Sequence, residues 1–176
     1  MTDEESRSLE PHEFLNGAAR QDAERALFRC CGAERWVARM LERRPFASRA
    51  DLFSSAESIW WALDGEDFRE AFSHHPEIGD LSRLRERFAA TAELSEREQA
   101  AVAGSDEATL IALREGNRLY KERFGFLFIV RASGRTAAEM LELLRARSKN
   151  EPDVELRIAA AEQYAITRLR LENLAR

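Results

Sequence analysis

The sequence predicts an all-α fold: a single-domain helical bundle with one short extended segment around residues 125–131. Three observations carry this. Apolar residues recur at helical spacing through most of the chain, helix-start signatures precede several of those stretches, and only one run, "GFLFIV", has strand-like composition. That run is too short to build a sheet alone, and no second run offers itself as a partner. It reads as an extended connector threading the core.

Each element follows from local chemistry. Residues 1–9 are acidic and polar and predict a flexible N-terminal tail, leaving residues 10–176 as one helical domain. Pro11 suits a first helical turn, and "HEFLNGAAR" continues from it. "AERALFRCCG" sets Ala23, Ala26, Leu27, Cys30 and Cys31 at helical spacing and stops near Gly32. "AERWVARMLERRPF" places Trp36, Val37, Met40 and Leu41 on one stripe and halts before Pro45. Ser54 and Glu57 form an S-x-x-E capping signature, which predicts a helix start ahead of "SIWWALDG". Asp64-Gly65 interrupts, and "EDFREAF" adds a turn or two. These end at the histidines, because Pro76 disfavours the α conformation in the residue before it. "DLSRLRERFAATAE" and "SEREQAAVAG" read as helices, and Ser105 reads as the cap of a longer one, "DEATLIALREGNRLYKERF", ended by Gly125. Thr136 and Glu139 repeat the capping box before "AAEMLELLRAR". Pro152 opens the last helix, expected to be the longest, from about Asp153 to Leu174.

Composition bounds the partners. With 176 residues, 44% apolar and 34% charged, the chain has room for one core and reads as a soluble globular protein. No apolar run approaches the roughly 20 residues that span a bilayer, which speaks against a membrane partner. The N-terminus lacks a basic region followed by an apolar one, so a cytoplasmic location is expected. The net charge is −5, and arginines alternate with Glu and Asp in "RLRERF", "ERRPF" and "LRARSKNEPD", so nucleic acid is not the expected partner. Such interleaved charges read as solvated helix faces. Cys30 and Cys31 are adjacent, a spacing that disfavours a bridge, and no Cys/His pattern suits a metal; they read as reduced core thiols.

Three stretches could carry chemistry. The first is "FSHHPEIGD", residues 72–80, which holds two of the three histidines. From spacing alone, a histidine at a helix end is more often a cap or a surface residue than a catalyst. His75, however, sits where the helix stops and Pro76 fixes the chain direction, so its imidazole could project into a cleft. With a free pKa near 6.5, imidazole is the natural group for proton transfer. The second is "SEREQ", residues 95–99. Ser95 and Glu98 make a capping box, and the same helix N-terminus offers free N–H groups to an anion. The third is "FGFLFIVRASG", residues 124–134. Extended backbone there leaves N–H and C=O groups without intrahelical partners, able to read a flat heterocycle rich in amides.

Together these stretches resemble one family, 2-oxo-4-hydroxy-4-carboxy-5-ureidoimidazoline (OHCU) decarboxylase, which catalyses the last step of urate breakdown to (S)-allantoin. The family's His-Pro-x-(Ile/Leu)-Gly element is similar to "HPEIG", and its Ser-x-x-Glu-Gln element to "SEREQ". Its aromatic stretch is similar to "NRLYKERFGFLFIV", and its closing Leu-Arg-Leu helix to "ITRLRLENL". The likeness runs from about Leu15 to Leu174, with four motifs in order.

The resemblance implies His75 as the catalytic proton-transfer residue, with Glu98 as a second catalytic group. It implies substrate contacts from Pro76, from Ser95, Glu96, Arg97, Glu98 and Gln99, and from the backbone of Phe128, Ile129, Val130, Arg131 and Ala132. Arg170 would bind an anionic group. Many bacterial members carry cysteine where this chain has Arg131. His74 is given no family role and reads as a surface or supporting residue. The resemblance further implies a small-molecule substrate, no cofactor, no metal and a homodimer. A competing class, a non-catalytic helical protein-interaction module, would have no need of His75 or Glu98 and would present an exposed apolar patch instead of a closed pocket.

Overall fold

The structure, a computed structural model, describes residues 9–75, 96–131 and 135–174, with the side chains of 96–106 excepted. Among the described residues there are eight α-helices and no strand. They are α1 (Pro11–Gly17), α2 (Arg20–Cys31), α3 (Glu34–Arg43), α4 (Arg49–Trp61), α5 (Gly65–Ser73), α6 (Glu96–Phe124), α7 (Ala137–Arg147) and α8 (Pro152–Glu172). The all-α expectation holds. The expected tail, the expected helix over 80–93, and Pro76, Ser95 and Ala132 fall wholly or almost wholly outside the described residues.

Two compact units are present: the residues up to His74 together with those from Ala160 onward, and His75–Ala159. In the first, α2 packs on α3, and α3 packs on both α4 and α5. Its core is aliphatic and aromatic, with Leu15, Leu27, Trp36, Met40, Leu52, Trp60 and Phe72 all fully buried. The two tryptophans bring a polar atom inside, and each donates it to a helix carbonyl: Trp36 Nε1 to Ala56 O at 3.0 Å, Trp60 Nε1 to Ala160 O at 3.1 Å. Asn16 joins α1 to the segment ahead of α4. Its amide donates to Phe46 O (2.8 Å) while its carbonyl oxygen accepts from Phe46 N (2.9 Å), as a second backbone strand would.

Helix ends explain themselves locally. Asp64 caps α5 by accepting from Glu66 N and Asp67 N. Thr136 caps α7 in the expected box with Glu139. Gly125 (φ +76°) follows α6 in the left-handed conformation that an L side chain adopts only under strain, and its N–H bonds back to Lys121 O.

Two expected boundaries are corrected. Ser54 does not begin a helix: α4 starts six residues earlier, where Ser48 accepts from Asp51 N. Leu52 before Ser54 and Ser55 and Ala56 after it are all buried, so packing carries the helix through the internal S-x-x-E signature. Nor does a helix begin at Ser105, since α6 runs unbroken through Gly104 and Ser105 and at 29 residues is longer than α8 at 21. One glycine inside a helix costs only about 1 kcal/mol, which a 29-residue ladder absorbs.

In the second unit α6 packs on α7. Gly116 lets them approach: a Cβ added there would meet Leu144 Cδ2 at 2.5 Å.

Candidate functional site

The described candidate residues fall in both units: Arg170 in the first, and His75, the first turn of α6 and the segment 128–131 in the second. In the second unit, the chain leaves α6 at Gly125 and runs from Leu127 to Arg131 with neither helix nor strand assigned. Phe126, Phe128, Ile129 and Val130 are buried and Arg131 is exposed. Aromatic packing fixes the path. The Tyr120 ring lies edge-on to Phe126 (5.8 Å between centroids) and to Phe128 (5.3 Å).

A buried ion pair stands behind this segment. Arg147 donates Nη1 to Ile129 O at 2.7 Å and Nε to Glu155 Oε1 at 2.7 Å, with Nη2 2.6 Å from the same carboxylate. Its guanidinium also lies over the Phe128 ring, 4.7 Å from the centroid. Glu155 is 0% exposed and Arg147 8%. The carboxylate is otherwise held by the Tyr120 hydroxyl and by Asn150 Nδ2 (2.7 Å). That hydroxyl's pKa is pushed well above the usual phenol range, by burial first and by the bond to Glu155 second. Arg147 belongs to the "LRARSKNEPD" run that reads as a solvated face, and its burial overturns that reading; Glu155 follows two residues after the run.

The other members of this unit are placed less fully. His75 follows α5 as a half-buried residue. Helix α6 begins at Glu96, immediately after Ser95, so Glu96, Arg97, Glu98 and Gln99 form its first turn. Their side chains, with Pro76, Ser95 and Ala132, lie outside the described residues. The first-turn N–H groups of any helix lack intrahelical acceptors and favour negative charge.

In the first unit, Arg170 lines an open cleft of about 700 Å³ with Phe28, Cys30, Gly32 and His74. Arg170 Nη1 donates to Arg29 O and to Cys30 O, each at 3.2 Å, so its positive charge sits at the carbonyl end of α2, where the helix dipole favours it. Gly32 closes α2 at φ +82°. A Cβ on it would meet His74 ring atoms at 3.0–3.2 Å, so backbone conformation and close approach both require glycine. The His74 ring stands edge-on to Phe28, 5.0 Å between centroids. Sequence reasoning left His74 without a place; the signal was Gly32, whose contact with it lies 42 residues away in the chain. Burial pushes the Cys30 and Cys31 thiols up to about 12, so neither is a nucleophile near neutrality.

Among the described residues no three His, Cys, Asp or Glu side chains could jointly hold a metal ion, and no helix is long and apolar enough to cross a membrane.

The family model of OHCU decarboxylase matches residues 16–172. The bifunctional uric acid degradation protein TTL of Arabidopsis thaliana is 42% identical over 148 residues, which are 82% of this chain and 45% of that protein. The 2-oxo-4-hydroxy-4-carboxy-5-ureidoimidazoline decarboxylase of Amia calva is 33% identical over 132 residues, 74% of each chain. The chain therefore spans under half of the bifunctional Arabidopsis thaliana relative and about three quarters of the Amia calva one. A crystal structure of an OHCU decarboxylase obtained in the presence of (S)-allantoin superposes with a TM-score of 0.68 at 35% identity, covering 89% of this chain and 98% of that one. An (S)-allantoin synthase structure shares the fold at 18% identity and TM-score 0.65, covering 93% of this chain and 53% of that one.

Proposed function

The chain belongs to the OHCU decarboxylase family, and on that premise we propose that it decarboxylates 2-oxo-4-hydroxy-4-carboxy-5-ureidoimidazoline to (S)-allantoin, the last step of urate degradation, with His75 moving the proton. The observation that carries the reading is the family match over residues 16–172, which takes in "HPEIG", "SEREQ", "FGFLFIV" and "LRL" together.

The chemistry asks little of the protein beyond placement. Breaking the bond to the carboxylate carbon releases CO2 and leaves its electron pair on the ring. The substrate's own adjacent carbonyl or imine takes up that pair as an enolate, so the reading calls for no cofactor. Three tasks remain: holding the carboxylate out of the ring plane, placing donors where charge develops, and delivering one proton to one face. The imidazole of His75 would deliver the proton, help typically worth about 10²–10⁴-fold. Glu98 beside it would favour the imidazolium that donates. The first turn of α6, with Ser95, Glu96, Arg97 and Gln99, and the backbone of Phe128 to Ala132 would pair the ring and ureido amides. Pro76 would pack against the ring, and Arg170 would hold an anionic group. A homodimer working in the cytoplasm completes the reading, and light scattering on the purified protein tests the first part of it.

The deciding experiment follows the product by circular dichroism. OHCU decays unaided to racemic allantoin, so the diagnostic is a fast optically active (S)-allantoin signal. Wild type is expected to give it, and His75→Ala, folded by far-UV circular dichroism, is expected to lose it. Turnover near wild type in His75→Ala would remove the proton-transfer role, and slow racemic decay with both proteins would remove the reaction itself.

A further inference from the structure

The Arg147–Glu155 pair serves no step in the reaction just described, yet it is the most completely enclosed charged cluster among the described residues. It reaches the candidate site at a single point. Of the donors on Arg147, one is spent on the backbone carbonyl of Ile129, in the middle of the segment whose backbone the reaction would use. The same guanidinium lies over the ring of Phe128, the residue before. We infer that Arg147, held by Glu155 and Tyr120, is a positioning residue: it fixes the Ile129 carbonyl and the Phe128 ring, and so sets the direction of the backbone groups that Phe128 to Arg131 present to substrate. This rests on the substrate-contact reading of that segment.

The physical case is one of rigidity. From Leu127 to Arg131 the chain lies in neither helix nor strand, so no ladder of backbone hydrogen bonds sets its course. Side chains must supply the constraint. Lysine would keep the charge but offers one point donor in place of a planar fork, and it cannot hold Ile129 O and Glu155 in one fixed geometry. Glu155 in turn is oriented by Tyr120 from α6 and Asn150 from the turn before α8, so the carbonyl of Ile129 is referenced to three separate elements. Donors and acceptors displaced by as little as an ångström lose much of their effect in a transition state. One lone pair of the Ile129 carbonyl is already engaged by Arg147. The groups left for substrate are therefore those of its neighbours first.

The test compares Arg147→Lys with Leu113→Val, a substitution at a fully buried α6 position outside the segment that loosens the packing of the same unit. Both are assayed with fresh OHCU below their melting temperatures, and kcat and KM are expressed per folded molecule. Arg147→Lys is expected to lose about tenfold or more in kcat at modest change in KM, while Leu113→Val stays within about twofold of wild type. Equal losses in the two variants, or an Arg147→Lys kcat within twofold of wild type, overturn the inference and leave the role purely structural. Should Arg147→Lys fail to fold, Tyr120→Phe decides: it keeps the ion pair but frees one side of Glu155, and a kcat loss of about threefold is expected, an unchanged kcat overturning the proposal. An inactive wild type is a separate result, since it removes the decarboxylase reading and this inference with it. An active wild type with an indifferent Arg147 removes the inference alone.

Discussion

The two units solve the same problem, a polar atom in a dry interior, by opposite means. In the first, Trp36 and Trp60 hand their N–H groups to the carbonyls of Ala56 and Ala160, and Tyr164 gives its hydroxyl to Phe53 O at 3.2 Å. Every partner of these three is neutral, and the unit's one buried carboxylate among the described residues, Asp67, is reached by Arg35 from the surface at 3.1 Å. In the second, a full positive and a full negative charge are buried, one of them against the Phe128 ring, and bonded to each other, to a tyrosine and to a carbonyl. A neutral donor loses a modest amount if its acceptor goes, whereas a buried charge that loses its partner forfeits several kcal/mol. The first arrangement tolerates drift and the second fixes position. It is the second that abuts the segment proposed to meet substrate.

Breaking the contrast at its strongest point gives the largest effect. Glu155→Ala strands the Arg147 charge in a core and is expected to lower stability by about 3–5 kcal/mol in urea unfolding. The double replacement Arg147→Met with Glu155→Leu removes both charges and is expected to recover most of that loss while activity stays low. A double variant as unstable as Glu155→Ala would mean that the ions themselves, and not their pairing, hold the unit together. Next comes Trp60→Phe, which removes a neutral donor and some volume and is expected to lower stability by about 2 kcal/mol.

Smaller still is an alkaline effect in the first unit. Cys30 and Cys31 carry pKa values raised by burial from 9.0 to about 12, so the folded chain keeps protons that the unfolded chain releases. The stability they contribute is complete below pH 9 and is lost as pH rises towards 12. Between pH 9 and 10 it should fall by up to about 1 kcal/mol per thiol. Urea titrations of wild type and Cys30→Ala at pH 8 and 10 check this, the variant showing the shallower decline. At the bottom of the scale stands the exposed Arg118, which bridges Glu115 and Glu122 on the surface of α6. Arg118→Ala should leave the melting temperature unmoved, because water and salt screen such pairs.

The fold was legible to the degree that its signals are local. Gly32, Gly125 and the Thr136–Glu139 box end or start helices through their own backbone chemistry, and the sequence marks them where they occur. Ser54 and Ser105 carry the same kind of mark without the consequence, because the buried side of α4 and the length of α6 outweigh a single start signal. The candidate site divides likewise. His75, "SEREQ" and "FGFLFIV" stand out as short words. Arg147 and Glu155 do not, since an arginine inside a charged run looks the same whether it faces water or a phenylalanine. What singles them out is convergence: Tyr120 lies 35 residues from Glu155, and Ile129 lies 18 from Arg147. Separation of that size is invisible to periodicity, which compares neighbours within a few turns.

Asn16 raises a different matter, that of age. Its amide meets both backbone groups of Phe46, donating to one and accepting from the other, and Gly17 follows it. An Asn-Gly pair is the kind most open to slow hydrolysis of the side-chain amide, since the unhindered glycine N–H can attack it. Conversion of Asn16 to aspartate would leave an oxygen where the donor stood, facing the Phe46 carbonyl, and half of the bracket would turn from attraction to repulsion. The same bracket, with Asn16 inside a helix and both of its amide atoms engaged, holds the side chain away from that attack, so the join between α1 and the segment ahead of α4 guards the residue on which it depends.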